Sequence, residues 1–571
     1  MKNKKIIISA AAAVTALTMA GTTAFAAKKY TAQDLFDLGD HLVGKADVSG
    51  EDVNGDNVVD VFDLVEMRKS FDHTGIFKEQ TFSATEENVK YNGRNYCDEK
   101  GVTWLPMSGS AIEFTVNARS AEIQILGDKG IENEKNCLPR YAVVVDGEVI
   151  LDELLTEKEK TVKLFSGTEP RIAHVKVVHL TESTYGAVGV GSIKADTDVP
   201  VPVAPEQKKK ISIEFIGDSI TCAYGVEGKD QYENFKTSTE NFMKSYAYLT
   251  AEKLDADYSA VSYSGYGIVS GYTSSGAKNT ESLLPDYYDI IGKYYDYDKE
   301  WEHSEHKYDV IVVNLGTNDA TYVNADFDNR SEEFTEGYTK FLSKLHEVHP
   351  DSYIICTLGT MGCTELYPCI ETAVQNYKKE FVTNRIMCYK SYTHTMDDGM
   401  GSDWHPNENT QQNSAYVLAD KICQALGLES DQLGVDMAAD VKYSVKKGSG
   451  VNLSDYYSEW DNSYHITTVT GGKSEEDIQL KAGTMKLKKN GKYHLKFKLS
   501  ADAGTEITFR LSDKLTGKVY HEDTLKGTGD YSSYEATVNI SDDSECELVI
   551  LAGGKDNSRV SLSSIKCVRT G

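Results

Sequence analysis

The 571-residue sequence is short of positive charge, of paired cysteines and of long apolar runs. Lysine and arginine total 60 against 88 aspartate and glutamate residues, so the formal net charge is −28. Such a surface repels phosphate backbones, which argues against a nucleic-acid partner and favours a neutral carbohydrate or a small molecule. The ten cysteines include no Cys-x-x-Cys pair, which argues against a zinc ribbon or a disulfide scaffold. Whether Cys546 and Cys567 pair stays open.

Several catalytic signatures are also absent. The Gly-x-Ser-x-Gly elbow of α/β-hydrolases does not occur. His346-Glu-Val-His349 is one residue short of the zincin motif, and the glycine-bearing segment 271–276 lacks the lysine of a phosphate-binding loop. The sequence therefore favours neither a zincin protease nor a nucleotide-binding enzyme.

The N-terminus has the three parts of a secretory signal. Three lysines among the first five residues precede an apolar stretch over 6–20, and Ala24-Phe-Ala26 supplies the small residues of a cleavage site. We predict a signal peptide over residues 1–26 and hence a secreted protein. No later run reaches the roughly 18 apolar residues of a membrane-spanning helix, so no membrane span is expected.

The next part of the chain changes pattern twice. Alternating apolar residues over 78–198 predict strands at 111–116, 121–126, 141–145 and 173–178. With no long helical pattern between them, they predict a β-sandwich of the jelly-roll type. The proline-rich segment that opens 199–210 predicts a stiff linker. Predicted strands then alternate with predicted helices over 211–428, which predicts a parallel sheet covered by helices on both faces. The strands are expected at 211–216, 258–263, 309–315, 353–358 and 385–389, and the helices at 241–253, 331–348 and 407–426.

Residues 440–571 return to a strand pattern and predict a second β-sandwich. Tyr456, Tyr457 or Trp460 can give this region a carbohydrate-binding surface. The alternative is a structural appendage with ordinarily buried aromatic residues.

Oxygen-bearing residues recur in the first region, 30–71, at the spacing of an EF-hand calcium loop. Positions 1, 3, 5, 9 and 12 carry side-chain oxygens and position 7 offers a backbone carbonyl, in the order Asp52, Asn54, Asp56, Asp60, Asp63 and Val58. Calcium takes about six to eight oxygen ligands at this spacing. We therefore predict a structural Ca²⁺ site, with a solvated acidic turn as the alternative.

This segment resembles a dockerin, the cellulosome module that docks onto cohesins of a scaffold protein. The family normally carries two loop–helix repeats, whereas here Asp34–Gly44 resembles one repeat's helix without a preceding calcium loop. The resemblance implies a cohesin partner and a cellulosome-associated location. The residues support calcium binding better than cohesin binding.

Four short blocks within 211–428 carry the groups of an acyl-transfer site. The blocks are Gly217-Asp-Ser219, Ser264-Gly265-Tyr-Gly267, Gly316-Thr-Asn318-Asp319 and Asp403-Trp404-His405. The first three end or follow predicted parallel strands, and the fourth lies near the end of the region. Since the carboxyl ends of parallel strands meet at one edge of a sheet, one cleft can collect all four blocks.

The residue types in these blocks suit a serine esterase. Ser219 can act as the nucleophile and His405 as its base. The backbone N–H groups of Ser219 and Gly265 and the Asn318 amide can stabilise the oxyanion. Asp403 can orient His405. Trp404 can stack on a sugar ring or, alternatively, pack inside the domain.

These blocks resemble the SGNH (GDSL-like) hydrolases over residues 211–428. That family usually has an aspartate three residues before the histidine, but Ser402 occupies this position and Asp403 lies only two before it. The orienting role of Asp403 is therefore open, and a backbone carbonyl is the alternative.

A narrower resemblance includes the preceding β-region. Asn92-Gly-Arg94, Ser108-Gly-Ser110, Val145-Asp-Gly147 and Asp403-Trp-His-Pro406 resemble carbohydrate esterase family 2 over about 79–428. The resemblance implies removal of acetyl groups from plant polysaccharides such as xylan or mannan, with no cofactor or metal in catalysis. The alternatives are an SGNH lipase or thioesterase, and a non-catalytic carbohydrate-binding scaffold protein.

Overall fold

The computed structural model describes residues 32–42, 52–53, 59, 63, 67, 76–396, 398–439, 441–458, 460 and 462–571. The predicted signal peptide lies outside these residues, as do Asn54, Asp56, Val58 and Asp60 of the predicted calcium loop. The helix Ala32–Leu42 covers most of the predicted dockerin-like helix. Of the helices in the described ranges, none is both long and apolar enough to cross a bilayer.

The region after the predicted calcium module is an antiparallel sheet of ten strands. They are β1 (Lys78–Ser83), β2 (Lys90–Asn92), β3 (Tyr96–Cys97), β4 (Thr103–Leu105), β5 (Ala111–Gly127), β6 (Arg140–Val145), β7 (Glu148–Leu154), β8 (Glu159–His179), β9 (Val188–Thr197) and β10 (Val203–Pro205). The order is β3-β4-β9-β5-β8-β6-β7, with β1 on β9 and both β2 and β10 on β5. Their alternating apolar side chains enclose one core, so the region predicted to be a jelly-roll β-sandwich is mostly sheet.

Long-range pairing extends this sheet beyond the predicted strands. The predicted strands 111–116 and 121–126 are two halves of β5, because the residues between them continue to pair with β8. Part of the predicted linker forms β10, where Val203 pairs with Val116. Pro205 ends this edge strand, where its missing N–H is tolerated.

Residues 211–426 form an α/β unit around a five-stranded parallel sheet. The strands are β11 (Ile211–Gly217), β12 (Ala256–Ser262), β13 (Val310–Asn314), β14 (Tyr353–Leu358) and β15 (Ile386–Lys390), in the order β12-β11-β13-β14-β15. Their nearly continuous apolar sequences fit a sheet that is buried on both faces. Separate apolar clusters, one containing Tyr338 and the other Tyr246, cover these faces.

The helices of this unit are Ser219–Cys222, Tyr246–Lys253, Thr317–Val323, Phe327–Val348, Tyr367–Phe381 and Glu408–Leu426. Three of them match predicted helices to within a few residues. Sequence reasoning missed Thr317–Val323, because its Gly-Thr-Asn-Asp start is typical of a turn. It also missed Tyr367–Phe381, which has a proline in its first turn, where proline is compatible with a helix.

The C-terminal region contains two five-stranded antiparallel sheets around one core. The first joins β16 (Lys442–Lys447), β19 (Ile478–Leu487), β24 (Ser544–Leu551), β21 (Glu506–Asp513) and β22 (Val519–Lys526). The second joins β17 (Asn452–Ser458), β18 (Ser463–Thr470), β25 (Arg559–Arg569), β20 (Lys492–Ala501) and β23 (Tyr531–Asn539). Cys546 and Cys567 are buried in the shared core as free thiols rather than as a disulfide.

Candidate active site

Ser219 begins a short helix at the carboxyl end of β11. Asp218 caps this helix by accepting a 3.0 Å hydrogen bond from the Ile220 N–H. A Cβ atom on Gly217 would lie 2.0 Å from Thr221 Oγ1, so the tight turn from strand to helix requires glycine there. The turn places Ser219 at the edge of the sheet where parallel-sheet proteins bind ligands.

His405 contacts the Ser219 hydroxyl directly. Its Nε2 lies 2.9 Å from Ser219 Oγ, and its Nδ1 lies 3.1 Å from the backbone carbonyl oxygen of Asp403. When Nδ1–H donates to that carbonyl, Nε2 is left as the acceptor for the serine proton. The pair therefore has the geometry of a nucleophile and its general base.

The Asp403 carboxylate does not complete a triad. It accepts hydrogen bonds from the Tyr224 hydroxyl and from the Phe235 N–H, each at 3.1 Å. Of the two candidates left open for orienting His405, the backbone carbonyl of Asp403 makes the contact and its carboxylate does not. Asp403 has a φ of +50°, and this left-handed conformation is compatible with its carbonyl and its carboxylate serving different partners.

The histidine loop is held by close backbone contacts. The Ser402 N–H donates to the Gly225 carbonyl and the Gly401 N–H donates to the His405 carbonyl, both at 2.9 Å. A Cβ atom on Gly228 would lie 2.3 Å from the Ser402 nitrogen. The glycines after the Ser219 helix thus allow the histidine loop to approach the nucleophile.

Asn318 connects the blocks that carry the other predicted oxyanion donors. Its side-chain amide donates to the Tyr266 carbonyl at 2.8 Å and to Asp218 Oδ2 at 3.2 Å. These partners are the immediate neighbours of Gly265 and Ser219. Within the described part of the chain, the backbone N–H groups of Ser219 and Gly265 have no hydrogen-bond acceptor. These two N–H groups are therefore available to a ligand. The Asn318 amide already donates to two acceptors, so it must give up or share one of these hydrogen bonds to donate to a ligand.

Burial sets the protonation of the groups at the site. Burial lowers the pKa of His405 to about 4, so the ring is the neutral base near pH 7. Burial raises the pKa of Asp218 to about 7 and that of Asp319 to about 6. Asp319 accepts hydrogen bonds from the N–H groups of residues 268, 269 and 270, so it anchors the end of the loop that contains Gly265.

Aromatic side chains lie next to His405 and the Gly265 loop. Trp404 is 48 % exposed and meets Tyr232 edge-on with ring centroids 5.8 Å apart. Tyr272 is 57 % exposed, and its N–H donates to the Gly265 carbonyl at 2.8 Å. The Tyr224 ring packs against His405 at 4.3 Å. Sequence reasoning predicted Trp404 but missed the three tyrosines, whose only signal is their position in loops that follow the motif blocks.

Comparisons with known proteins agree with this geometry. Residues 213–418 match the family described as GDSL-like Lipase/Acylhydrolase, and residues 91–205 match the family described as Carbohydrate esterase 2 N-terminal. The Cellulase/esterase CelE of Acetivibrio thermocellus is 32 % identical over 366 residues, which are 61 % of this chain but only 41 % of that protein. An Acetylxylan esterase / glucomannan deacetylase of Cellvibrio japonicus is 24 % identical over 359 residues, 61 % of this chain and 91 % of that protein.

Solved structures resemble the same part of the chain. A family two carbohydrate esterase from Clostridium thermocellum, in complex with cellohexaose, has a TM-score of 0.51 and 27 % identity over 59 % of this chain and 99 % of that one. An acetyl xylan esterase from Butyrivibrio proteoclasticus shares the fold, with a TM-score of 0.55 and 22 % identity over 62 % of this chain and 99 % of that one. The chain thus matches a carbohydrate esterase 2 N-terminal domain over 91–205, followed by a match to a GDSL-like hydrolase over 213–418.

Proposed function

We propose that this protein removes O-acetyl groups from plant cell-wall polysaccharides, such as xylan or mannan, by serine acyl transfer. The 2.9 Å contact between Ser219 Oγ and His405 Nε2 is the observation that carries the proposal. The Cellvibrio relative, named for acetylxylan and glucomannan, supports this class of substrate.

The geometry supports a two-step reaction. His405 Nε2 takes the Ser219 proton while Oγ attacks the acetyl carbonyl carbon, and the backbone N–H groups of Ser219 and Gly265 stabilise the oxyanion. When the tetrahedral intermediate collapses, the bond to the sugar oxygen breaks and His405 donates its proton to that oxygen. Water then attacks the acetyl-serine with His405 again as base, which releases acetate and restores Ser219. The Asp403 carbonyl dipole stabilises the charged imidazole during both steps.

The aromatic surface near His405 suits a sugar substrate. Trp404, which precedes His405 in the chain, and Tyr232, which contacts Trp404, both expose ring surface. The flat face of an aromatic ring can stack on the apolar C–H face of a sugar and exclude water from that contact. A lipase or thioesterase would instead be expected to favour long acyl chains. This difference separates the alternative function experimentally.

The test measures acetate release and the mass of acetylated xylo- and manno-oligosaccharides before and after treatment. We expect loss of acetyl groups with the natural chain and almost none with Ser219→Ala or His405→Ala, while the exposed-loop control Ser304→Ala keeps full activity. Activity on long-chain esters alone would favour the lipase alternative. Full activity of Ser219→Ala would require another nucleophile, and an inactive natural chain would favour a non-catalytic binding protein.

We further propose that the C-terminal sheets bind polysaccharide. Tyr456 is 61 % exposed, its neighbour Tyr457 in β17 is 45 % exposed, and Trp460, which follows β17, is 95 % exposed. Large exposed aromatic side chains in one hairpin are typical of a binding surface. Depletion of the protein by insoluble xylan should fall in a Tyr456→Ala/Trp460→Ala variant but not in a Tyr531→Ala control, since Tyr531 is an exposed tyrosine on a different strand.

For the N-terminal module we propose a secreted, calcium-binding dockerin-like segment that docks onto a cohesin. The Val53 N–H donates to Asp63 Oδ1 at 2.7 Å, so the first and last ligand positions of the predicted loop lie close together, as one shared cation requires. Calcium would neutralise the mutual repulsion of the loop carboxylates. Calorimetric titration should show calcium binding that Asp56→Ala weakens, and any cohesin binding should then disappear with chelator.

A further inference from the structure

Three buried side chains meet next to the oxyanion region and have no place in the acyl-transfer steps. Glu182 follows β8, Cys222 ends the Ser219 helix, and Glu240 precedes the helix Tyr246–Lys253. One ligand-type atom from each residue lies within 4.8 Å of the others, and all three residues are buried. In the described part of the chain, Glu240 Oε1 has no hydrogen-bond partner.

Glu182 links the ten-stranded sheet region to the Gly265 loop. Its Oε2 accepts a 2.8 Å hydrogen bond from the Ser264 N–H. Its own backbone N–H donates to Glu240 Oε2 at 3.3 Å. A chain of contacts therefore runs from Glu240 through Glu182 to the residue immediately before Gly265.

The other side-chain anchors of this loop act further along it. Asn318 holds the Tyr266 carbonyl, and Asp319 holds the N–H groups that begin at Ile268. Gly265 itself has a φ of +82°, and a glycine can rotate between backbone conformations that other residues cannot adopt. Backbone bonds also hold this turn, since the Tyr266 N–H donates to the Tyr263 carbonyl at 3.3 Å and the Tyr272 N–H to the Gly265 carbonyl at 2.8 Å. Glu182 adds a side-chain acceptor for the Ser264 N–H, on the N-terminal side of Gly265.

We propose that Glu182 is a positioning residue for the oxyanion hole. By accepting the Ser264 N–H it fixes the direction of the neighbouring Gly265 N–H, and Glu240 holds Glu182 in place. The inference rests on the proposed esterase function and makes the ten-stranded sheet region a contributor to turnover. Glu182 acts through Gly265 and touches no reacting atom.

A hydrogen-bonded cluster fits these three groups better than a metal ion. One oxygen of each carboxyl already accepts a backbone N–H. Burial raises the pKa of both Glu182 and Glu240, which favours their neutral, protonated forms over the carboxylates that bind a cation. Burial also raises the pKa of the Cys222 thiol, which favours the protonated form rather than a thiolate ligand.

The test compares Glu182→Leu, Glu182→Gln and Glu113→Leu with the natural chain on 4-nitrophenyl acetate. Leucine removes the acceptor for the Ser264 N–H, whereas glutamine keeps an acceptor oxygen. Glu113 is a buried carboxylate of the same sheet region, and it pairs with Lys90 and Lys176 rather than with the Gly265 loop. It therefore controls for replacing a buried carboxyl group with an apolar side chain.

We expect Glu182→Leu to lower kcat by about tenfold or more with KM changed by less than about twofold, because small displacements of catalytic groups cost turnover. Glu182→Gln should restore most of kcat, and folded Glu113→Leu should keep the natural kcat. If Glu182→Leu does not fold, Glu182→Ala replaces it and should give a kcat below that of Glu182→Gln.

Natural kcat in Glu182→Leu, or equal losses in the Gln and Leu variants, would overturn the inference. Loss of wild-type activity after dialysis against a chelator would overturn it in favour of a bound cation. Absence of esterase activity in the natural chain would instead refute the proposed function, so the two failures are distinguishable.

Discussion

The two sheet regions that flank the hydrolase domain meet it in different ways. From the N-terminal region, Met107 packs into the core of the hydrolase domain, and Arg94 is fully buried with its guanidinium 3.8 Å from the Glu214 carboxylate. In the C-terminal region, the core contains no described side chain from 211–426. Among the described residues, Lys566 Nζ donates a 3.5 Å hydrogen bond to the Tyr392 hydroxyl. The connecting segment adds polar contacts on both sides, since Asp431 accepts from Lys253 through its carboxylate and from Arg569 through its backbone carbonyl.

The N-terminal and C-terminal regions are both made of antiparallel sheet, but they differ in how they contact the hydrolase domain. Shared apolar core and buried charge couple the folding of the N-terminal region to that of the hydrolase domain, whereas a polar surface contact leaves a neighbour independent. We infer that the N-terminal sheet and the hydrolase domain form one catalytic unit. The C-terminal sheets are an attached module.

Removing the buried arginine should have the largest effect on stability. In Arg94→Met the Glu214 carboxylate loses its cationic partner, and breaking a buried ion pair typically costs about 3–5 kcal/mol. The matched change at the other junction, Lys566→Met, should cost less than about 1 kcal/mol because its partner is a surface hydroxyl. Urea unfolding of both variants measures the free energies, and equal costs at the two junctions would contradict the comparison.

The carboxamide that links the catalytic blocks should have the next largest effect. Asn318→Ala removes a contact to the Gly265 loop and a candidate oxyanion donor, so kcat should fall by roughly 100-fold with little change in KM. Steady-state kinetics on 4-nitrophenyl acetate measures both constants. A change confined to KM would instead place Asn318 in substrate binding. Asn318 would then not support the Gly265 loop during turnover in the way proposed for Glu182.

Sequence patterns predicted the features that depend on local order. The strand Tyr353–Leu358 has its predicted bounds, and the Ser219 and Asn318 blocks occupy the ends of parallel strands as expected. Both features are local, because a continuous apolar run predicts a buried strand and the polar motif that follows it marks the end of that strand. The pairing of Ser219 with His405 followed from the types of residue that acyl transfer requires.

The features that sequence reasoning missed depend on contacts between distant residues. The contact of the Asp403 carbonyl with His405 accompanies a left-handed backbone conformation at Asp403, and the residue type alone does not predict that conformation. The contact of Glu182 with Ser264 joins residues 82 positions apart. Val203 follows two prolines, yet it pairs with Val116 of β5, where it extends the edge of the sheet. Tertiary packing decides each of these features.

The aromatic platform should separate substrate binding from chemistry. Trp404→Ala should lower activity on acetylated polysaccharide by about tenfold or more, because sugar stacking is lost, while hydrolysis of a small aryl acetate stays close to natural. Parallel assays on the two substrates and a thermal melt check this. Equal losses on both, with a lower melting temperature, would show that Trp404 serves packing instead.

The acidic limb of the pH profile should report the environment of His405. Because burial lowers its pKa to about 4, the neutral base persists as pH falls below the usual histidine value of about 6.5. We expect kcat/KM on an aryl acetate to decline with a midpoint near 4. The groups that face this ring include the Asp403 carboxyl, the Tyr224 hydroxyl and His394. A midpoint between 6 and 7 would instead point to Asp218 or Asp319, whose pKa values burial raises into that range.

Removing the C-terminal sheets should have the smallest effect on chemistry, and it tests the comparison directly. A chain ending at Ala439 keeps the hydrogen bonds between Lys253 and Asp431 and loses both C-terminal sheets. Sites without shared partners act independently, so kcat on an aryl acetate should stay within about twofold of the natural value. Depletion by insoluble polysaccharide should fall if the exposed aromatics bind sugar.

Stability should also be preserved in the shortened chain. Among the described residues, no side chain of the removed part belongs to the core of the hydrolase domain, so the unfolding midpoint of that domain should not change. A large loss of kcat or stability would mean that the polar junction couples the two regions after all, and the C-terminal sheets would then belong to the catalytic unit.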